Sequence, residues 1–129
     1  MRRLGLLRPW WFAAGILALM LGAFIFRYVH LEDRPMHVDE AVHTVKAGAI
    51  IEGGFSDYKY DAFEYHGPTL YFFTLPFVEL SGAETFKETE AWIYRIVPVV
   101  FGAGLILLLF LAADGLGKKE CLIAALLTA

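Results

Sequence analysis

The chain has 129 residues, of which 58% are hydrophobic and 16% aromatic, with a mean hydropathy of +0.56. This composition is too apolar for an ordinary soluble domain. The net charge of −3 offers no basic surface for nucleic acid, and the single cysteine, Cys121, excludes a disulfide framework or a cysteine-type metal site. We therefore predict an integral membrane protein.

Two uncharged segments are long enough to cross a bilayer. Residues 9–26 (PWWFAAGILALMLGAFIF) and 96–113 (IVPVVFGAGLILLLFLAA) each have 18 residues. As helices they would reach about 27 Å, close to a hydrocarbon core of about 30 Å. Residues 121–129 stay apolar over about half the length that a span needs. We expect them to begin a truncated third span, and the chain to be the N-terminal part of a longer protein.

Basic residues on either side of these segments predict the topology. Three arginines lie in residues 1–8 and two lysines in the turn 114–120. We therefore expect a plasma-membrane protein in which residues 1–8 and the turn 114–120 lie in the cytoplasm. Residues 27–95 then form a long extracytoplasmic loop with 12 of the 14 acidic residues. A cleaved signal peptide is the alternative for the N-terminus, but the apolar run is long for one and lacks an A-x-A cleavage site.

The first half of the loop predicts a helix over residues 39–52. Its apolar residues recur at close to helical spacing: Val38, Val42, Val45, Ala49 and Ile50. Asp39 and Glu40 fall in the first turn, where the helix dipole favours negative charge, and Gly53-Gly54 are expected to end the helix.

The second half predicts a short apolar helix that begins after Pro68, is interrupted at Pro76 and ends at Gly82. It is too short to span and is expected to lie at the membrane interface. A short amphipathic approach, residues 87–94, then leads to Arg95. The predicted fold is an all-α integral membrane protein with two transmembrane helices, a truncated third, and a long extracytoplasmic loop of membrane-surface amphipathic helices.

The Asp39-Glu40 pair has a structural and a functional interpretation. Carboxylates in a first helical turn stabilise the helix by about 0.3–1 kcal/mol each when exposed. Alternatively, one of them accepts a proton as a general base. A third option is a metal site, since Glu40 and His43 have the Glu-x-x-His spacing of di-metal bundles. Those bundles need a second copy of the motif, which this sequence lacks.

His66 and Arg95 also have two interpretations each. A histidine before Gly67-Pro68 can simply shape a turn, and Arg95 can anchor the end of a span at the interface. The functional interpretation of Arg95 is phosphate binding, because a guanidinium at headgroup depth matches the position of a lipid phosphate.

The order of these motifs resembles the first extracytoplasmic loop of membrane glycosyltransferases of the GT-C type. That order is a span, HVDEAVH, an amphipathic helix, YHGPTLYFF, and YRIVPVVFG opening the next span. Protein O-mannosyltransferases and lipid A aminoarabinose transferases are similar, and the prokaryotic branch described as flippase-associated is the most similar. The resemblance covers about residues 10–129. Gly67 stands where many of those relatives have proline.

The resemblance implies the N-terminal part of an enzyme that moves a sugar from a polyprenyl-phosphate donor to an acceptor hydroxyl, with inversion. Asp39 then matches the catalytic aspartate and Glu40 its acidic neighbour. His66, Gly67 and Pro68 form a donor-side motif, and Arg95 matches the phosphate-binding arginine. No cofactor or metal is implied, and the fragment alone is expected to be inactive. A non-catalytic polyprenyl-phosphate-binding or flippase-associated protein and a metal-dependent membrane enzyme are the alternatives.

Overall fold

A computed structural model describes residues 9–60 and 67–129. Within these ranges the chain folds into α-helices and short 3-10 turns and forms no β-strand. The prediction of an all-helical fold is therefore confirmed for the described residues. The chain divides into two compact units, one built from Met1–Val29 with Val99–Ala129 and the other from His30–Pro98.

The helices follow the predicted order with shifted ends. In chain order they are α1 (Trp10–Tyr28), α2 (Val38–Gly53), α3 (Thr69–Ser81), α4 (Ala91–Leu116) and α5 (Lys118–Thr128), with 3-10 turns at Phe55–Asp57 and Phe86–Glu88. The helix predicted from residue 39 to 52 matches α2 to within one residue at each end. In contrast, α4 begins at Ala91 rather than at residue 96, so Arg95 lies inside a helix.

The first unit packs α1, the later part of α4 and α5 around an apolar core. Its buried residues are Phe12, Ile16, Ala23, Ile106, Ala113, Cys121 and Ala125. The rings of Phe12 and Phe110 stack with centroids 5.4 Å apart. Gly15 lets α5 approach closely, because a Cβ there would lie 2.9 Å from a methyl carbon of Leu122. The third apolar segment is thus a helix packed against the first.

Two helices, α1 and α4, are long and apolar enough to cross a membrane. Only 17% of the apolar window of α1 and 33% of that of α4 is buried inside the protein. The core helix of a soluble protein would be mostly buried, so this exposure favours a membrane environment for both helices.

The second unit is built on α2 and α3, and its buried core comprises Ala47, Ile50, Tyr71, Val78, Ile93 and Tyr94. The predicted apolar pattern of α2 is buried only in part: Ile50 lies in the core and Val42 is half-buried, but Val38 and Val45 are 72% and 63% exposed. Gly48 is also buried, and the ring of Phe86 packs on it so closely that a Cβ would lie 2.7 Å from a ring carbon.

Glycine and proline mark the helix ends in this unit as predicted, with one correction. Gly54 follows α2 at φ 85°, and Gly82 follows α3 in the left-handed region at φ 76°, a conformation that glycine adopts without a Cβ clash. Pro68 precedes α3. The predicted interruption at Pro76 is wrong, because α3 continues through it. The helix lacks the hydrogen bond that an N–H at this position would make, but the residues two positions before and after it, Thr74 and Val78, are buried.

Candidate functional site

The Asp39-Glu40 pair lies in the first turn of α2, where Glu40 helps to cap the helix. The backbone N–H of His37 donates to Oε2 of Glu40 at 3.0 Å, and the backbone N–H of Asp39 donates to Nδ1 of His37 at 3.4 Å. Together these two bonds form a capping box. The structural interpretation of this acidic pair therefore applies to Glu40.

Glu40 also binds two arginines from different parts of the chain. Arg34 donates to both carboxylate oxygens, through Nη1 to Oε2 at 3.1 Å and through Nη2 to Oε1. Arg95, 55 residues further along the chain, donates from Nη2 to Oε2 at 3.1 Å. The side chain of Glu40 is 27% exposed, against 60% for Arg34 and 5% for Arg95. The carboxylate thus lies between one exposed and one buried guanidinium.

Arg95 connects the start of α4 to the segment before α2. Besides its bond to Glu40, its Nη1 donates to the backbone carbonyl of Leu31 at 2.6 Å. Its Nε is buried and has no hydrogen-bond partner among the described residues. A buried arginine is normally paired and hydrogen-bonded throughout, so this N–H is an exception.

Hydrogen bonds to Glu40 control its protonation. Partial burial raises the pKa of the Glu40 carboxyl, but bonds from the His37 backbone, Arg34 and Arg95, together with the charge of Arg95, outweigh it and hold the pKa below the ordinary 4.5. An ionised carboxylate whose oxygens already accept these donors is a poor base for an incoming hydroxyl. Its position instead suits it to orient the two arginines.

Asp39 differs from Glu40 in both exposure and contacts. Its side chain is 79% exposed, and its Oδ2 lies 3.7 Å from Nδ1 of His37. Successive residues of an α-helix point about 100° apart, so Asp39 faces away from the direction of Glu40. Asp39 is therefore the carboxylate of the pair that an approaching ligand can reach.

The metal interpretation gains no support from the described residues. The ring of His43 pairs with the hydroxyl of Tyr71 on α3 at 3.1 Å, whereas the carboxylate of Glu40 is held by arginines. In residues 9–60 and 67–129 no group of three or more histidine, cysteine or acidic side chains is arranged to hold a metal ion.

The donor-side motif is described only in part. His66 lies outside the described residues, while Gly67 is exposed and Pro68 caps α3. The bond between Tyr71 and His43 joins α3 to α2 within one turn of Pro68 on one helix and within one turn of Glu40 on the other. The first turns of the two helices are thus linked.

Sequence reasoning missed Arg34 and the carbonyl of Leu31. Arg34 precedes Glu40 by six residues across Pro35 and before the start of α2, so no helical spacing relates the two side chains. The contact of Arg95 with Leu31 joins residues 64 positions apart. No local pattern signals either contact.

Comparison with known proteins identifies no relative. No protein-family model, curated protein or solved structure matches this chain. Any functional conclusion therefore depends on the residues themselves and on the resemblance in motif order.

Proposed function

We propose that this chain is the N-terminal part of a membrane glycosyltransferase that moves a sugar from a polyprenyl phosphate to an acceptor hydroxyl on the extracytoplasmic side. The observation that supports the proposal is the ion pair between Glu40 and Arg95, because Glu40 directly follows the exposed Asp39 in the first turn of α2. It brings together one member of the acidic pair and the arginine, which the motif order assigns to one reaction.

The reaction needs one base and one cationic group. The acceptor oxygen attacks the anomeric carbon and forms a new C–O bond, while the bond from that carbon to the phosphate oxygen breaks and its electron pair leaves with the phosphate. A single displacement inverts the anomeric centre. The acceptor proton must move to a base, for which one carboxylate within hydrogen-bond reach is sufficient. Cations near the departing phosphate stabilise its charge.

The residues divide between these tasks by exposure and contact. Asp39 is the base, since its carboxylate is open to an acceptor. Glu40 is a positioning residue, because its oxygens accept hydrogen bonds from two arginines and a backbone N–H. Arg95 supplies positive charge for the phosphate. His66, Gly67 and Pro68 line the donor side under the same proposal.

The proposed topology follows from the charges that flank the apolar helices. A cytoplasmic N-terminus and a cytoplasmic connection between α4 and α5, with two lysines at the start of α5, leave the unit His30–Pro98 outside. A polyprenyl tail stays in the bilayer, so its phosphate lies at the interface, at the level expected for the beginning of α4.

The test is Asp39→Asn in the protein expressed in full from its own gene and assayed in membrane vesicles. We expect transfer of radiolabelled sugar from a polyprenyl-phosphate donor to fall at least about 10²-fold, the range for removal of an acid–base group. Binding of the lipid phosphate should change little, because Asp39 contacts neither arginine. Glu52→Gln is the matched control, since it removes an exposed carboxylate about 20 Å further along the same helix. Near-normal transfer by a properly inserted Asp39→Asn protein would refute the base assignment.

The second candidate is a membrane protein that binds polyprenyl phosphate without transferring the sugar. It is favoured by the arginine cluster, which depends on Glu40 and not on Asp39. In this case the unaltered protein binds the lipid phosphate but transfers no sugar. Asp39→Asn then has no effect on lipid binding, whereas Arg95→Gln abolishes lipid binding. The two candidates therefore separate in the same pair of assays.

A further inference from the structure

The arginine–glutamate cluster shares its donors unevenly between the two oxygens of Glu40, and one buried N–H of Arg95 has no acceptor among the described residues. Oε2 of Glu40 accepts from Arg34 at 3.1 Å, from the His37 backbone at 3.0 Å and from Arg95 at 3.1 Å. This oxygen has two lone pairs for three donors, whereas Oε1 accepts only from Nη2 of Arg34. In addition, Nε of Arg95 is buried with no partner among the described residues. The cluster therefore lacks an acceptor at one buried donor, the Nε of Arg95.

The net charge of the cluster also favours an anionic ligand. Two guanidinium groups face one carboxylate, so the three side chains carry a net positive charge, and the Asp39 carboxylate is directed to solvent. Phosphate is the group that best supplies several anionic acceptor oxygens to guanidinium N–H groups, often two at a time. A phosphate group would supply both the missing negative charge and the missing acceptor.

The two arginines differ in how firmly they are held. Arg95 is 5% exposed and has a second bond to the carbonyl of Leu31. Arg34 is 60% exposed, and within the described part of the chain its side-chain hydrogen bonds go to Glu40 alone. Arg34 can therefore exchange its partner without opening the packed unit, whereas Arg95 cannot.

We propose that Glu40 is an internal competitor for phosphate: it occupies Arg34 in the unliganded protein, and a phosphate ester displaces it, so that Arg34 becomes a second phosphate-binding guanidinium beside Arg95. The inference rests on the proposed function, whose donor is a lipid phosphate. It adds a binding residue, Arg34, and gives Glu40 an effect on affinity opposite to that of a direct ligand.

This exchange predicts substitutions with opposite signs. Glu40→Gln keeps the shape of the side chain but removes the competing charge, so phosphate affinity should rise about tenfold, the effect of one charge-assisted hydrogen bond. Arg34→Gln removes a ligand, and the affinity should fall by about the same factor. In the double variant, the gain from Glu40→Gln should be smaller than in the single variant, because the two side chains act on one another.

The experiment measures equilibrium binding of a radiolabelled polyprenyl phosphate to the full-length protein in phosphatidylcholine nanodiscs. The matching polyprenol, which lacks the phosphate, tests whether the headgroup is required. Inorganic phosphate in the buffer is the competitor. Competition at millimolar concentration means that the site takes phosphate from any source, and its failure means that the lipid-borne phosphate is required.

Two control variants keep the charge change but move it outside the cluster. Lys87→Gln removes an exposed cation of the same unit, and Glu52→Gln removes an exposed carboxylate from the far end of α2. Both should bind like the unaltered protein. Circular dichroism of every variant verifies that the helices are retained, and exposed Arg34 gives a variant that folds even if Glu40→Gln does not.

The results separate this inference from the proposed function. The exchange at Arg34 is overturned if the unaltered protein binds polyprenyl phosphate no better than polyprenol. It is also overturned if Arg34→Gln binds normally, or if folded Glu40→Gln binds no more tightly than the unaltered protein. If the opposite shifts occur in a protein that transfers no sugar, the exchange stands and the glycosyltransferase proposal fails. If sugar transfer is present but Arg34→Gln has no effect on binding, the glycosyltransferase proposal stands and the exchange at Arg34 is refuted.

Discussion

Removal of the Glu40 charge should destabilise the protein far more than removal of the Arg34 charge, although both changes break the same ion pair. Glu40→Gln leaves the guanidinium of Arg95, only 5% exposed, without a counter-charge. Arg34→Gln leaves Glu40 still paired with Arg95, and the lost partner is a 60% exposed arginine. The asymmetry thus comes from what remains buried after each change.

The expected losses in the free energy of unfolding follow from how deeply each charged group is buried. Breaking a fully buried pair from one side costs about 3–5 kcal/mol. Glu40 is 27% exposed, so water reaches one side of the pair, and the amide oxygen of glutamine still accepts one hydrogen bond. We therefore expect Glu40→Gln to lower the free energy of unfolding by about 2–3 kcal/mol. For Arg34→Gln we expect about 0–1 kcal/mol, the usual value of an exposed ion pair.

A third variant tests the stated cause. Glu40→Gln combined with Arg95→Met removes the uncompensated charge as well as its partner, and methionine fills much of the buried volume. This double variant should be more stable than Glu40→Gln alone, because a buried charge without a partner costs more than an apolar replacement of the pair.

The assay is reversible denaturant unfolding of the full chain in detergent micelles, followed by circular dichroism, with Glu52→Gln as the control for loss of an acidic residue. Equal destabilisation by Glu40→Gln and Arg34→Gln would refute the reasoning. So would a double variant that is less stable than Glu40→Gln alone.

Three further predictions concern pH, packing and topology. Because the folded pKa of Glu40 lies below 4.5, its stabilisation is complete above about pH 4.5 and is lost as the pH falls through the folded pKa; Glu40→Gln should therefore flatten the acid side of the stability curve. Gly48→Ala should destabilise by about 1–3 kcal/mol, because the new methyl group meets the Phe86 ring at 2.7 Å; Val45→Ala, on the exposed face of the same helix, should have little effect in the same unfolding assay. In a Cys121→Ala background, a membrane-impermeant maleimide should label Ser56→Cys in intact cells but Lys119→Cys only after permeabilisation, and the reverse pattern would invert the proposed topology.

Local physics explains why much of the fold was predictable. A helix needs only a run of apolar residues of sufficient length to be recognised as a candidate membrane span, and α1 and α4 contain such runs. Glycine marks a helix end because a positive φ is accessible to it without a Cβ clash, as at Gly54 and Gly82. These features depend on neighbouring residues only. The sequence by itself therefore determined the helical class, the apolar spans and most helix ends.

The tertiary structure decided which face of α2 is buried and which charged groups meet. The valines at 38 and 45 follow helical spacing, but Gly48 faces the core because only a residue without a side chain accommodates the Phe86 ring. Arg95 meets Glu40 and the carbonyl of Leu31 across 55 and 64 residues. Such contacts arise from packing between distant segments, and helical periodicity carries no information about them. For this reason the motif order assigned Asp39, Glu40 and Arg95 to one reaction without showing which of them meet, while Arg34 became visible only in the folded chain.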